Sequence, residues 1–238
     1  MNRLVFGVAT GVVGALGTIA MADTITTNDR GWYDNFGVQS VGSAGVFGRD
    51  SYLTGRSGAT VTRSFYSFTL PLAPAGMEVV SATFRAFSGT TVGSQTLTLS
   101  SFSGDQTALL NGTGGIAAFT ALGNGTDFGS RSFTNADFYR AVTFTLNAAA
   151  ISAINAALGS NFVFAATSSG EAGGVNTTNY AFGATSNVDD AFGVRTQLIY
   201  TYGAAPVVAV PFPPALYAGL AGMVCVVTVV RRRRALSE

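Results

Sequence analysis

Histidine and lysine are absent from this 238-residue sequence, and it contains a single cysteine, Cys225. All 13 basic residues are therefore arginines. Without histidine, lysine or a second cysteine, the chain cannot supply a Ser-His-Asp triad, a Cys-His pair, a Schiff-base lysine or a histidine-ligated zinc site. It also cannot form an intrachain disulfide. These absences exclude most of the common catalytic machinery.

Charge is sparse as well. Only 11% of the residues are charged, and the formal net charge is +1. Nine arginines are spread singly, and the other four form one cluster at residues 231–234. Because binding to nucleic acid requires a basic face that neutralises phosphates, this distribution argues against a nucleic-acid partner.

The N-terminal residues 1–22 have the three-part pattern of a secretory signal peptide. Arg3 provides a positive start, an apolar stretch follows, and small residues stand at Ala20 and Ala22. Signal peptidase accepts small residues at these two positions, so we expect cleavage before Asp23. The alternative is an uncleaved membrane helix whose glycines allow helix packing.

The C-terminal region has three parts in a fixed order: a proline-rich stretch at 206–214, an uncharged apolar stretch at 215–230, and the cluster Arg231, Arg232, Arg233 and Arg234. The apolar stretch would be about 24 Å long as a helix, slightly short of a hydrocarbon core of ~30 Å. Arginine clusters stay on the cytoplasmic side of a membrane. We therefore expect a single transmembrane helix at 215–230, a cytoplasmic tail at 231–238, and the rest of the chain outside.

This tail resembles the PEP-CTERM family of bacterial sorting signals, especially its VPLPA-type variants. The matching motif is Val210, Pro211, Phe212, Pro213, Pro214 and Ala215. The resemblance implies recognition and cleavage near the motif by an exosortase, a membrane-embedded cysteine protease-transpeptidase, and transfer to the cell surface or extracellular matrix. No Glu follows Pro211, so the strict Pro-Glu-Pro motif is absent and a different exosortase subtype is implied. A plain, uncleaved membrane anchor is the alternative.

The body at 23–205 contains 19 serines and 25 threonines, with aromatic and β-branched runs between glycines. This composition favours strands. Alternating apolar and polar residues support several of them, such as Leu97 and Leu99 against Thr96 and Thr98. The predicted strands are 24–27, 64–70, 79–87, 95–102, 141–146, 161–166, 180–183 and 195–202.

One segment is predicted to be helical. Asn147 can cap a helix over 148–158, with Ile151, Ile154 and Leu158 on one face and Gly159 as its end. We interpret it as a crossover between two strands at one end of a sandwich. The predicted fold class is all-β, a jelly-roll-like β-sandwich with one short crossover helix.

The body also resembles sandwich domains found in PEP-CTERM proteins, in segments 24–34, 52–56, 64–70, 128–130 and 143–159. Some of those domains are compared with carbohydrate-binding modules of the jelly-roll type. The resemblance implies a fold more strongly than a function.

Acidic residues are the remaining candidates for chemistry. Two carboxylates could hydrolyse a glycosidic bond, but the acids show no telling spacing, and most of them stand beside glycine or asparagine, as turn residues do. Asn187, Asp189 and Asp190 form the densest oxygen cluster, a candidate calcium site. The alternative is that these acids only stabilise turns.

The sharpest binding candidate is the segment 29–36, which we call the aromatic strip. Sugars stack on exposed aromatic rings and bond to carboxylates, amides and arginines. The strip offers this mixture, and its candidate glycan-binding residues are Asp29, Trp32, Tyr33 and Asp34. Alternatively, Trp32 and Phe36 fill the core, while Asp29 and Arg30 pair locally.

Together, these features predict a non-enzymatic, exported envelope or extracellular-matrix protein without a resident cofactor. Its expected partners are signal peptidase, an exosortase-like transpeptidase, the membrane and extracellular polysaccharide. A membrane-anchored structural or adhesive protein with a retained tail is one alternative, and a polysaccharide-active enzyme is another. The body at 23–205 holds eight arginines against eleven acids, a net charge of −3 that suits a soluble extracellular domain.

Overall fold

A computed structural model describes residues 21–27, 29–40, 51–89, 92–184 and 195–206. The chain divides into two compact units, residues 1–204 and 205–238. The first unit contains nearly all of the described residues, and the second contributes only residues 205 and 206. The predicted signal peptide up to residue 20, and the predicted sorting motif, membrane helix and arginine tail, lie outside the described ranges.

The described residues of the first unit form an all-β sandwich of two antiparallel sheets. Sheet A has four strands, in the order β1 (Met21–Thr26), β11 (Gln197–Ala204), β5 (Met77–Ser88) and β8 (Arg140–Thr145). Sheet B has six strands in the order β10 (Thr178–Ala184), β3 (Tyr52–Ser57), β4 (Thr60–Thr69), β9 (Asn161–Ser168), β6 (Gln95–Ser101) and β7 (Asp127–Phe133), and a seventh, β2 (Asp29–Asp34), that pairs with β4.

The main core lies between the two sheets and is dominated by aromatic rings. Phe84 of sheet A is 0% exposed. Its ring centroid lies 4.9 Å from Tyr66 and 5.6 Å from Phe164, both of which belong to sheet B. The alternation along β5 puts Ala82, Phe84 and Ala86 in this core, as the sequence predicts.

A second core lies on the other face of sheet B. Two short helices, α1 (Gln106–Leu110) and α2 (Gly115–Leu122), contribute the fully buried Leu109 and Leu122 to it. Phe65 of β4 and Val163 of β9 face these helices, because they alternate with residues that face sheet A. Sheet B is therefore covered on both faces.

The predicted crossover helix is confirmed as α3 (Ala148–Ala156). The side chain of Asn147 caps it by accepting a hydrogen bond from the backbone N–H of Ala150 at 3.0 Å. The helix connects β8 of sheet A with β9 of sheet B. Asn155 also bonds to both backbone groups of Val79 at 2.8 Å, so its side-chain amide acts as a strand partner for β5 beyond the end of β8.

All eight predicted strands have a counterpart, but β2, β3 and β7 were not predicted as strands, and neither α1 nor α2 was predicted as a helix. Gly55 illustrates why β3 is hard to recognise. It has φ +136° and lies opposite Tyr180 of β10, so closely that an added Cβ would be 2.2 Å from the backbone oxygen of Asn179. Only glycine fits this position.

None of the helices in the described ranges has the length and hydropathy that a membrane-crossing helix needs.

Candidate functional site

The aromatic strip forms strand β2 and its turn rather than an open loop. Tyr33 is 0% exposed and packs in the second core. Its hydroxyl donates a hydrogen bond to the backbone oxygen of Leu109 at 2.8 Å. The ring therefore holds helix α1 against sheet B, and the prediction that Tyr33 faces a glycan does not fit this packing.

Asp34 and Arg30 are also used inside the fold. Asp34 is 7% exposed, and its Oδ1 accepts hydrogen bonds from the backbone N–H groups of Phe36 at 2.9 Å and Val38 at 2.8 Å. This arrangement closes the turn after β2 and corrects the glycan-binding prediction for Asp34. Arg30 is 4% exposed, lies 5.1 Å from the ring centroid of Tyr52, and donates to Thr196 Oγ1 at 2.9 Å.

Four residues of the strip keep contact with solvent. Asp29, Trp32 and Asn35 are partly exposed, and Phe36 is 60% exposed, so Phe36 does not fill a core. The indole Nε1 of Trp32 is buried without a hydrogen-bond partner. The structure thus divides the predicted strip into a partly open part and a buried part, which consists of Arg30, Gly31, Tyr33 and Asp34.

The acids in the described loops stabilise local backbone, as predicted for turn residues. Asp105, Asp127, Asp137 and Glu171 each accept a hydrogen bond from a backbone N–H no more than three residues away. Glu171 also forms an ion pair with Arg63 at 2.9 Å, and Arg63 lies 4.2 Å from the ring centroid of Phe119 in α2.

The described residues contain no group of three or more His, Cys, Asp or Glu side chains that could hold a metal ion. The candidate calcium ligands Asn187, Asp189 and Asp190 lie outside the described ranges, as do Ala20 and the whole sorting motif. The other two residues of the predicted signal cleavage site, Ala22 and Asp23, lie in β1, opposite Thr201 and Tyr200 of β11.

Asp23 accepts a hydrogen bond from the Tyr200 hydroxyl at 3.2 Å. Tyr200 is almost fully buried on the inner face of sheet A. Burial, followed by the neighbouring Tyr202 and Asp23, raises the pKa of the Tyr200 hydroxyl above its ordinary value. The group is therefore a neutral structural hydroxyl at physiological pH.

A different pair of aromatic residues is open to solvent. Phe138 is 49% exposed and Tyr139 is 48% exposed, and their ring centroids lie 4.5 Å apart at an interplanar angle of 73°. They stand between a short 3-10 helix, Asn135–Asp137, and strand β8. Two consecutive aromatic residues in a polar loop are a signal that sequence reasoning could have used and did not.

No protein-family model matches this chain, and a comparison with curated proteins finds no match either.

Proposed function

We propose that this chain is a non-enzymatic, exported protein of the cell envelope or extracellular matrix, sorted through its C-terminal segment and able to bind polysaccharide. The observation that carries the proposal is the order of parts in that segment: the motif from Val210 to Ala215, the apolar stretch, and the arginine cluster. The segment resembles PEP-CTERM signals in its position, order and charge.

The fold of the body fits this proposal as a jelly roll. When β2, β3 and β10 are set aside, four strands remain in each sheet, in the orders β1-β11-β5-β8 and β4-β9-β6-β7. Along the chain, each of these eight strands then lies in the opposite sheet from the strand before it, except β7, which follows β6 in the same sheet. This alternation is typical of a double Greek key, which supports the jelly-roll assignment.

The non-enzymatic part of the proposal is supported by composition and by the use of the acids. Histidine and lysine are absent from the whole chain. Asp105, Asp127, Asp137 and Glu171 are engaged in caps, turns and ion pairs. A pair of carboxylates facing a common space would be needed for glycoside hydrolysis.

The test is intact mass and terminal sequencing of the protein recovered from its native host, separated into membrane, envelope and released fractions. We expect a mature form that starts at Asp23 and ends between Pro211 and Ala215. A variant with Pro211 and Pro213 both changed to Ala should stay full-length at the C-terminus, whereas Thr83→Val, in the body, should be processed normally. A wild-type form that retains residues 215–238 in every fraction would overturn the sorting proposal and make the tail an ordinary anchor.

A further inference from the structure

Phe138, Tyr139 and Arg140 form a feature that we call the aromatic corner. All three side chains are exposed, and the two rings are in direct contact. Exposed aromatic rings that touch one another retain apolar surface that folding normally buries. Their exposure is a feature that core packing does not account for.

The fold holds these rings in one place. The 3-10 helix before them has a capping box between Thr134 and Asp137, and Asp137 forms an ion pair with Arg131 at 2.7 Å. The N–H of Tyr139 donates to the backbone oxygen of Ser88 at 2.7 Å, and the Tyr139 ring lies 5.8 Å from the buried ring of Phe87. The pair is therefore presented on a supported turn.

The backbone at this turn is unfavourable. Tyr139 has φ +56°, and it is the one non-glycine residue with a positive φ in the described ranges. An aromatic side chain is disfavoured in the left-handed region, where glycine or asparagine is usual. Retaining tyrosine at such a position points to a use for its ring.

The charge near the aromatic corner is positive. Arg85 points outward from the neighbouring strand β5, whereas Arg140 lies opposite Ser88, in register with the inward-facing Val142, and is exposed at the end of the edge strand β8. Neither arginine has an ion pair or hydrogen bond from its side chain within the described residues. Asp137 is already neutralised by Arg131. Glu78, the acid on β5, is seven residues from Arg85, about 23 Å along an extended strand.

Hydroxyl groups continue from the aromatic corner across the outer face of sheet A. Thr143 and Thr145 follow on β8 and are exposed. The strand register extends them into two rows, Thr143-Arg85-Gln197-Thr26 and Thr145-Thr83-Ile199-Thr24. Four strands spaced about 4.8 Å apart give rows about 14 Å wide, long enough to contact several units of an extended polymer.

We propose that the aromatic corner binds an acidic, uronate-containing polysaccharide that continues along the outer face of sheet A. A sugar ring stacks on Tyr139 or Phe138, the uronate carboxylates pair with Arg140 at the end of the edge strand β8 and with Arg85 on the outer face of the sheet, and the threonine rows bond the sugar hydroxyls. This assignment rests on the polysaccharide binding proposed above, and it moves the site from the aromatic strip to the aromatic corner. Arg85 and Arg140 have no acidic partner among the described residues, and this charge is what favours an acidic polymer over a neutral one.

The test measures binding of the full-length protein in detergent to polygalacturonate and, in parallel, to the uncharged polymer dextran. We expect binding to polygalacturonate and at least tenfold weaker binding to dextran. Phe138→Ala and Tyr139→Asn should each weaken polygalacturonate binding by about tenfold. Arg140→Gln and Arg85→Gln should weaken it and reduce its dependence on salt, since each removes one charge pair. Asparagine is chosen at position 139 because it accepts a positive φ.

The control is Ile116→Ala, an exposed apolar residue on α2, beyond sheet B, which should leave binding unchanged. Circular dichroism of each variant establishes that the fold is kept. The proposal is overturned if polygalacturonate does not bind, if dextran binds equally well, or if Trp32→Phe or Phe36→Ala weakens binding while the corner variants do not. Each of these outcomes leaves the sorting result, measured by terminal sequencing, unaffected.

Discussion

The two sheets of the sandwich differ in how many faces are covered within the described residues. Sheet B packs against sheet A on one face and against α1 and α2 on the other. Sheet A is covered on its inner face, whereas its outer face carries partly or fully exposed side chains such as Thr83, Arg85 and Thr143. In β9, five consecutive residues from Phe162 to Ala166 are buried, whereas in β8 buried and exposed residues alternate.

This difference shows that, in one fold, the residues that stabilise the structure can be different from the residues that are available to bind a ligand. The sequence of a strand that is buried on both faces is a continuous run of apolar residues, whereas in a strand with one solvent-exposed face apolar and polar residues alternate. Because the outer residues of sheet A contribute little to either core, they can change without a large cost in folding free energy. The sheet that is open on one face is therefore the better place for a binding surface.

The largest expected effect comes from the core between the sheets. Phe84→Ala removes a fully buried ring that contacts Tyr66, Phe68, Phe144 and Phe164. We expect the free energy of unfolding to fall by about 3–5 kcal/mol. Urea denaturation followed by circular dichroism measures it. A loss below that of an exposed substitution would contradict the idea that the main core joins both sheets.

A substitution in the second core should destabilise a smaller part of the structure. Leu122→Ala creates a cavity under α2, where Leu122 is 0% exposed, and should cost about 2–5 kcal/mol. We expect amide hydrogen exchange to accelerate in α1 and α2 well before it does in β5 and β11. If exchange accelerated to the same extent in α1, α2, β5 and β11, the helices and the sandwich would form one cooperative unit, which would contradict this prediction.

A smaller loss is expected where α3 meets sheet A. Asn155→Ala leaves the backbone N–H and oxygen of Val79 without their side-chain partners. We expect a loss of about 1–3 kcal/mol, measured as a lower urea midpoint with an unchanged slope. Ser152→Ala, on an exposed position of the same helix, is the matched control.

Alkaline pH should destabilise sheet A through Tyr200. Because burial raises the pKa of this hydroxyl in the folded chain, ionisation above about pH 10 favours the unfolded state. The contribution to stability is present below that pH and is lost at about 1.4 kcal/mol per pH unit above it. Tyr200→Phe should remove this part of the alkaline loss, as thermal melts between pH 8 and 11 would show. An identical pH profile in both proteins would refute it.

The smallest effect is expected on the outer face. Thr83→Val, next in sequence to Phe84, should change the free energy of unfolding by no more than about 0.5 kcal/mol. The same denaturation experiment as for Phe84→Ala measures it. A loss comparable to that of Phe84→Ala would mean that the outer face of sheet A is covered.

The features that were predicted correctly from the sequence are those that depend on residues close together in the chain. The alternation around Phe84 and the asparagine cap of α3 depend on neighbours in the chain, and both predictions were confirmed. Strand β2 was interpreted as a binding strip, because Asp29, Trp32 and Asp34 are polar or amphipathic residues. The burial of Arg30 depends on Tyr52 and on Thr196, which is 166 residues away, and no local pattern carries such a contact.

The helices α1 and α2 were missed for a different reason. The first has five residues and the second eight, too short for a clear periodic pattern. The spacing of Ile116, Phe119 and Leu122, followed by Gly123, was a usable signal that we did not interpret as helical. The two adjacent aromatic residues of the aromatic corner stand among polar neighbours, which was a usable signal, but their exposure is a property of the folded chain that the sequence pattern does not carry.

The pairing of β1 with β11 has a mechanical consequence. Asp23, the first residue of the proposed mature chain, lies opposite Tyr200, and β11 ends at Ala204, so the two ends of the body leave the sandwich close together. A force that pulls these ends apart would unzip the pair one hydrogen bond at a time. A force that enters through the C-terminal end alone must instead shear β11 against both β1 and β5, and loads many hydrogen bonds at once. When flow pulls on a body held only at its C-terminal end, β11 is therefore loaded in shear and the pair is not unzipped.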